Sequence, residues 1–167
     1  ISFANDMKVG PDGRIYVGTQ SGVRVGVSDK TDGRLYSIDK HGKVRVLFQP
    51  HRYSRTKAFL ADFPEALSQA DEVILCPTYA AFEKPIAGGD VFNLYDSCRS
   101  REMEKSSQGG HAPVFYLARN FEEAWKHVRL ESRSGDLILI LGAGDIVKMR
   151  PWAERDFPDG IKAEGKS

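Results

Sequence analysis

Val46–Thr56 reads VLFQPHRYSRT, and the reading of this stretch decides the fold. The apolar run Val44–Phe48 stops at Gln49-Pro50, and His51, Arg52 and Arg55 follow at once. A strand that ends at a proline and releases cations into a strand-to-helix turn has the layout of a ligand site in an α/β domain. In such open sheets, ligands lie beyond the carboxyl ends of the strands. Arginine offers there a planar fork of donors that matches carboxylate or phosphate. A solvated basic turn is the other reading of the same residues.

Toward the carboxy terminus, strand and helix patterns alternate. Ser54–Gln69 has a broad apolar face (Ala58, Phe59, Ala61, Phe63, Ala66, Leu67), with Ser54 as its cap, and Pro64 predicts a kink or split. Asp71–Cys76 is a buried-type strand ended by Pro77, and Tyr79–Asp90 is a Gly- and Pro-bearing loop of the kind that carries function. A second helix is predicted over Val91–Lys105, a flexible turn over Ser106–His111 and a strand over Pro113–Leu117. Asn120 caps a helix to about Ser132, with Phe121, Ala124, Trp125, Val128 and Leu130 inward. Asp136–Leu141 is the most apolar strand and is expected at the centre of a parallel sheet. Gly142-Ala143-Gly144-Asp145 then opens a helix through about Met149, and Pro151–Ser167 reads as a polar tail. The fold class is therefore α/β, a mainly parallel Rossmann-like sheet with helices, preceded by β-hairpins.

FQPHRYSRT resembles the FQPHRYTRT stretch of the Mur ligases of peptidoglycan synthesis, in the branch that joins L-alanine to UDP-N-acetylmuramate. The resemblance continues through SQADEVILCPTYAAFEKPIAG (Ser68–Gly88) and SGDLILILGAGDIVKM (Ser134–Met149). It covers Val44 to Met149 and implies the carboxy-terminal domain of that family. It implies that His51, Arg52 and Arg55 line a site for the amino acid and the nucleotide-sugar substrate, with Tyr79 and Glu83 in a loop near it. Gly142, Gly144 and Asp145 are a second candidate site element, because glycines let backbone approach a ligand closely. The family's DDYxHHPTE motif has no match here. ATP and Mg²⁺ are implied for the full-length ligase only. Gly165-Lys166-Ser167 has no strand or helix pattern around it and reads as tail, so the chain alone is expected to be inactive. A non-catalytic binding or scaffold module acting with a separate partner is the alternative.

The first forty-odd residues have another pattern. Runs at Arg14–Val17, Val23–Val27 and Leu35–Ile38 are broken by Pro-Asp-Gly, Ser-Gly, Asp-Gly and His-Gly, the form of a β-meander. ANDMKVGPDGRIYVGT (Ala4–Thr19) and GRLYSIDKHGKVRVLF (Gly33–Phe48) resemble one blade of a gluconolactonase- or regucalcin-type β-propeller. Asn5 matches that family's metal-proximal position, but its companion ligands are missing, and Asn5-Asp6 reads as a turn. No metal site and no lactonase activity are expected. The expected organisation is a hairpin segment (1–43), an α/β domain (44–150) and a tail (151–167), an apparent chimera. The hairpins are expected to pack on the α/β half, with Val44–Phe48 shared between both.

The 24 basic and 23 acidic residues nearly balance, which gives no reason to expect nucleic acid or a charged membrane surface as partner. Cys76 and Cys98 have no metal-like spacing and fit a reducing, cytoplasmic setting. No apolar run reaches membrane-spanning length. His41, His111 and His127 are read as structural or solvated. Expected partners are the nucleotide-sugar substrate or L-alanine, and a possible homodimer through a β-edge or swapped hairpins.

Overall fold

The structure, a computed structural model, describes residues 2–9, 15–21, 34–38 and 42–158, the first three segments as backbone only. Those three segments are β1 (Ser2–Val9), β2 (Ile15–Ser21) and β3 (Arg34–Ile38), a three-stranded antiparallel sheet in the order β1-β2-β3. β1 runs through Asn5-Asp6 as strand, with a register irregularity there, where a turn was expected. Val23–Val27 lies outside the described residues.

The second sheet is made of β4 (Val44–Phe48), β5 (Glu72–Leu75), β6 (Val114–Leu117) and β7 (Leu137–Leu141). All its pairings are parallel, in the order β6-β5-β4-β7. This is the Rossmann-like α/β sheet expected from the alternating pattern. Two expectations change. β7 is an edge strand rather than the centre, and β1 of the smaller sheet lies near it. β4 is not shared with the hairpins, because β5 and β7 already occupy both of its edges.

Side chains alternate along each strand, so the sheet has two apolar faces. Val44, Val46, Val73, Leu75, Phe115 and Leu139 form one. It is covered by Leu60, Phe63 and Leu67 from the segment after β4 and by Val91, Leu94 and Cys98 of α3 (Val91–Ser107). Leu47, Ile74 and Cys76 form the other, covered by Ala124, Trp125 and Val128 of α4 (Phe121–Glu131). Burial of this kind stabilises by about 1.5–3 kcal/mol per large side chain. The two cysteines lie one on each face, and burial pushes both thiols up to about 12, as inert core groups.

The predicted helix after β4 is split into α1 (Tyr53–Ala58) and α2 (Phe63–Ala66). The break precedes Pro64, which occupies the first turn of α2, where a missing N–H costs nothing. Ser54 is not the cap of α1, since that place falls to Arg52, whose side chain caps nothing. Asn120 does cap α4, accepting from the Glu123 amide at 2.8 Å. Leu130 faces solvent rather than the core. The stretch read as tail begins instead as α5 (Arg150–Asp156), following a short 3₁₀ turn at Asp145–Met149. Trp152, Ala153 and Phe157 pack on the second face, and the Phe157 and Trp125 rings meet edge to face at 5.7 Å. These apolar contacts hold the helix against the second face.

At the amino ends of the strands, the second face carries a buried ionic cluster. Arg45 pairs with Glu72 and with Asp136 (3.1 Å), and donates to the Glu131 carbonyl at 2.6 Å. Glu72 also meets His127 Nε2 at 2.7 Å, and the His127 ring stacks on Tyr116 at 4.0 Å between centroids. Among the described residues no helix is long and apolar enough to cross a membrane.

Candidate functional site

The carboxyl ends of β4, β5 and β7 converge. Beyond β4 the chain continues as Gln49-Pro50-His51, beyond β5 as Cys76-Pro77-Thr78-Tyr79, and beyond β7 as Gly142–Asp145. Gln49, buried at the end of β4, ties the three together. Its backbone amide donates to the Leu141 carbonyl at 2.9 Å. Its side-chain Nε2 donates to the Pro77 carbonyl (3.2 Å) and to Asp145 Oδ1 (2.7 Å), while Oε1 accepts from the Ile146 amide at 3.0 Å. Both N–H donors and one lone pair of the amide head are thus used across two neighbouring strand ends.

Tyr79 is the second junction. It pairs with His51 in an isolated parallel bridge, and its carbonyl accepts from the Arg52 amide at 2.8 Å. The Tyr79 and His51 rings stack with centroids 5.5 Å apart. On its other side Tyr79 fills the space beside Gly144, where a Cβ would lie 2.5 Å from the Tyr79 ring. A Cβ on Gly142 would lie 2.9 Å from Ile146 and 3.1 Å from Gln49. Both glycines are therefore required by close packing of the β7 turn against Gln49 and Tyr79, before any ligand is considered.

Of the six candidate residues, His51, Gly142, Gly144 and Asp145 are brought together through Gln49 and Tyr79. Arg52 and Arg55 lie on the exposed rim. Arg52 has a left-handed backbone, φ 70°, at the entry to α1, and its charge acts on Glu83. Arg55 makes no ion pair among the described residues. Asp145 is committed to structure, with Gln49 on one oxygen and Lys148 at 3.3 Å on the other. The Gln49 hydrogen bond, with help from Lys148, holds its carboxyl below the ordinary range against the effect of burial. The loop residue Glu83 accepts from the Ser54 amide (3.0 Å) and hydroxyl (2.6 Å), which hold its carboxyl low as well.

Gln49 is the residue that sequence reasoning missed. Its signal was its place: a lone amide between an apolar run and a proline, at a strand end. Gly160–Ser167 reads GIKAEGKS and does fit the Gly-x4-Gly-Lys-Ser spacing of a phosphate loop, although it was read as tail. That loop springs from a strand end, whereas the element before Gly160 is helix α5. The segment itself lies outside the described residues. Among the described residues no three metal-ligating side chains converge. A groove of about 640 Å³ between α2 and α3, lined by Ala61, Pro64, Ser97 and Arg101 among others, includes none of the candidate residues.

No family model matches the chain. Individual relatives do. The chain is 38% identical over 132 residues, 79% of its length, to the UDP-N-acetylmuramate–L-alanine ligase of Prochlorococcus marinus, of which it covers 25%. It is 41% identical over 104 residues (62% of the chain, 21% of the relative) to the ligase of that name from Desulfosudis oleivorans. Against that of Mycolicibacterium smegmatis it is 40% identical over 113 residues, 67% of the chain and 21% of the relative. The chain spans about a quarter of the length of the curated relatives it matches. The similarity, with the parallel sheet, makes the greater part of the chain a Mur ligase-like domain.

Proposed function

We propose that the α/β unit is the substrate-binding, carboxy-terminal domain of a ligase that joins L-alanine to UDP-N-acetylmuramate in peptidoglycan synthesis, working in the cytoplasm. The observation that carries this reading is the convergence of three strand ends on Gln49 and Tyr79, within a domain about 40% identical to such ligases. In this reading His51, Arg52 and Arg55 face an anionic substrate. Arg52 and Arg55 offer exposed guanidinium forks to the carboxylate of L-alanine or to the nucleotide sugar. His51, steadied by Tyr79, positions what they hold. Gly142 and Gly144 keep the β7 turn close to Gln49, and Asp145 fixes that turn in place.

The chemistry of such a ligase rests on holding a phosphorylated carboxylate and an amine in register. Residues 44–158 would supply binding and orientation. ATP and Mg²⁺ would be held by the three quarters of the relatives that this chain does not span. Alone, the chain binds and does not ligate. We also propose that the first 43 residues are an appended hairpin unit of the propeller-blade type; their described strands β1, β2 and β3 pair antiparallel.

The test is a titration of the isotope-labelled chain with UDP-N-acetylmuramate and with L-alanine, followed by amide chemical shifts. Changes are expected at His51–Thr56, Tyr79 and Gly142–Asp145, and they should vanish in the Arg52→Ala/Arg55→Ala double variant. Shifts confined to other surfaces, or none at saturating ligand, would refute the reading. ATP turnover by the chain alone would refute its inactivity.

A further inference from the structure

Three non-glycine residues among those described have left-handed backbone: Arg52 (φ 70°), Ala81 (φ 47°) and Phe82 (φ 68°). All three flank one contact, the pair of hydrogen bonds from Ser54 to the Glu83 carboxylate. A side chain in this backbone region is unfavourable, and such residues persist only where their surroundings hold them. Here the holding is visible on both sides. Arg52 is fixed by the hydrogen bond that its backbone amide donates to the Tyr79 carbonyl. The far end of the loop returns onto α1 at Gly89, where a Cβ would lie 2.3 Å from the Tyr53 carbonyl oxygen. Between these points Phe82 stands wholly in solvent, 105% exposed, the most exposed large apolar side chain described. A phenylalanine gains nothing there in this state. Neither the apolar core nor the convergence at Gln49 requires it.

We infer that the loop Tyr79–Asp90 is a two-state strap latched by Glu83 to Ser54, and that the latched state stores backbone strain at Ala81 and Phe82. Releasing the carboxylate lets both residues return to ordinary backbone and moves Phe82. It also leaves the Ser54 amide and hydroxyl at the start of α1 without their acceptor. This goes beyond the proposed ligase role and holds whatever ligand the site takes.

Amide hydrogen exchange of the full chain tests it. In Glu83→Ala, exchange across Tyr79–Gly88 should rise at least tenfold, while Val73–Leu75 of β5 keeps its protection. Ser54→Ala, which removes one of the two latch bonds, should give an intermediate rise. Phe82→Asn, which tolerates left-handed backbone without the added freedom of glycine, should slow exchange in the strap relative to the unaltered chain. Unchanged strap exchange in both latch variants, or faster exchange in Phe82→Asn, would overturn the proposal. If Glu83→Ala loses protection in β5 as well, Ser54→Ala and Phe82→Asn decide between the same two outcomes.

Discussion

Gln49 Nε2 donates to Asp145 Oδ1 at 2.7 Å, across 96 positions of sequence, and so joins the end of β4 to the turn after β7. The same amide head accepts from the Ile146 backbone at 3.0 Å, a buried bond. Removing it leaves the buried Ile146 N–H unmatched and takes one donor from the partly buried Asp145 carboxylate. Gln49→Ala should therefore cost about 1–3 kcal/mol in denaturant unfolding. Equal midpoints for the two proteins would show that the junction is not structural.

Gly144 has no room for a methyl group. Its Cβ would lie 2.5 Å from the Tyr79 ring and 2.7 Å from Gln49 Oε1. Gly144→Ala should destabilise by about 1–3 kcal/mol through overpacking. It should also displace Tyr79 from His51, which a changed chemical shift of the His51 ring would report. A Gly144→Ala protein with native stability and an unchanged His51 signal would mean that the turn yields freely.

The ionic cluster at the other end of the sheet should behave as a unit. Arg45 contacts Glu72, Asp136 and the Glu131 carbonyl from a buried position. Arg45→Met would leave two buried carboxylates without their cation and should cost about 3–5 kcal/mol. Equilibrium unfolding in urea reads this directly, and a loss below about 1 kcal/mol would show that water or His127 compensates.

Much of this fold was legible because the parallel strands are continuous apolar runs separated by helical patterns. Strand order was less so. Leu137–Leu141 is the most apolar strand, yet it sits at the sheet edge, because apolarity reports burial of both faces and says nothing about which edge is paired. The charged residues and glycines of the candidate site were proposed from the sequence, as was the loop bearing Tyr79 and Glu83; the structure gathers four of the six and leaves Arg52 and Arg55 on the rim. Gln49 and the Arg45–Glu72–His127 cluster were not. Gln49, Arg45 and Glu72 are polar residues inside or beside apolar runs, and only the register of neighbouring strands and the packing of α4 show where their partners lie. Helix α5 was missed because three apolar residues in a charged stretch make too weak a period.

Acid should destabilise the protein in two stages. Burial pushes His127 below its ordinary 6.5; the Glu131 charge opposes this and the Arg45 charge adds a smaller push in the same direction as burial. The unfolded chain then binds the proton first, so stability is fully present above about pH 6.5 and is lost as pH falls through the lowered folded value. Carboxylates add the second stage. Glu123 is lowered to about 2 by Arg119, and Asp145 is held low by Gln49. Their contributions are present above the ordinary carboxylate range near 4.5 and disappear as pH falls toward 2. Urea midpoints measured from pH 8 to pH 3 should fall in both ranges, and His127→Gln should abolish the first decline alone. A flat profile between pH 7 and pH 5 in the unaltered protein would contradict the first stage.

The most direct measurement replaces the matched segment of a UDP-N-acetylmuramate–L-alanine ligase, such as that of Mycolicibacterium smegmatis, with residues 44–158 of this chain. ATP-dependent formation of the amide bond is then followed. The predicted result is retained turnover, with Arg52→Ala and Arg55→Ala each reducing it by at least tenfold, the loss expected for one charge-assisted hydrogen bond of about 1.5–3 kcal/mol. A folded hybrid without turnover, or one indifferent to both arginines, would contradict the assignment of this domain and its site.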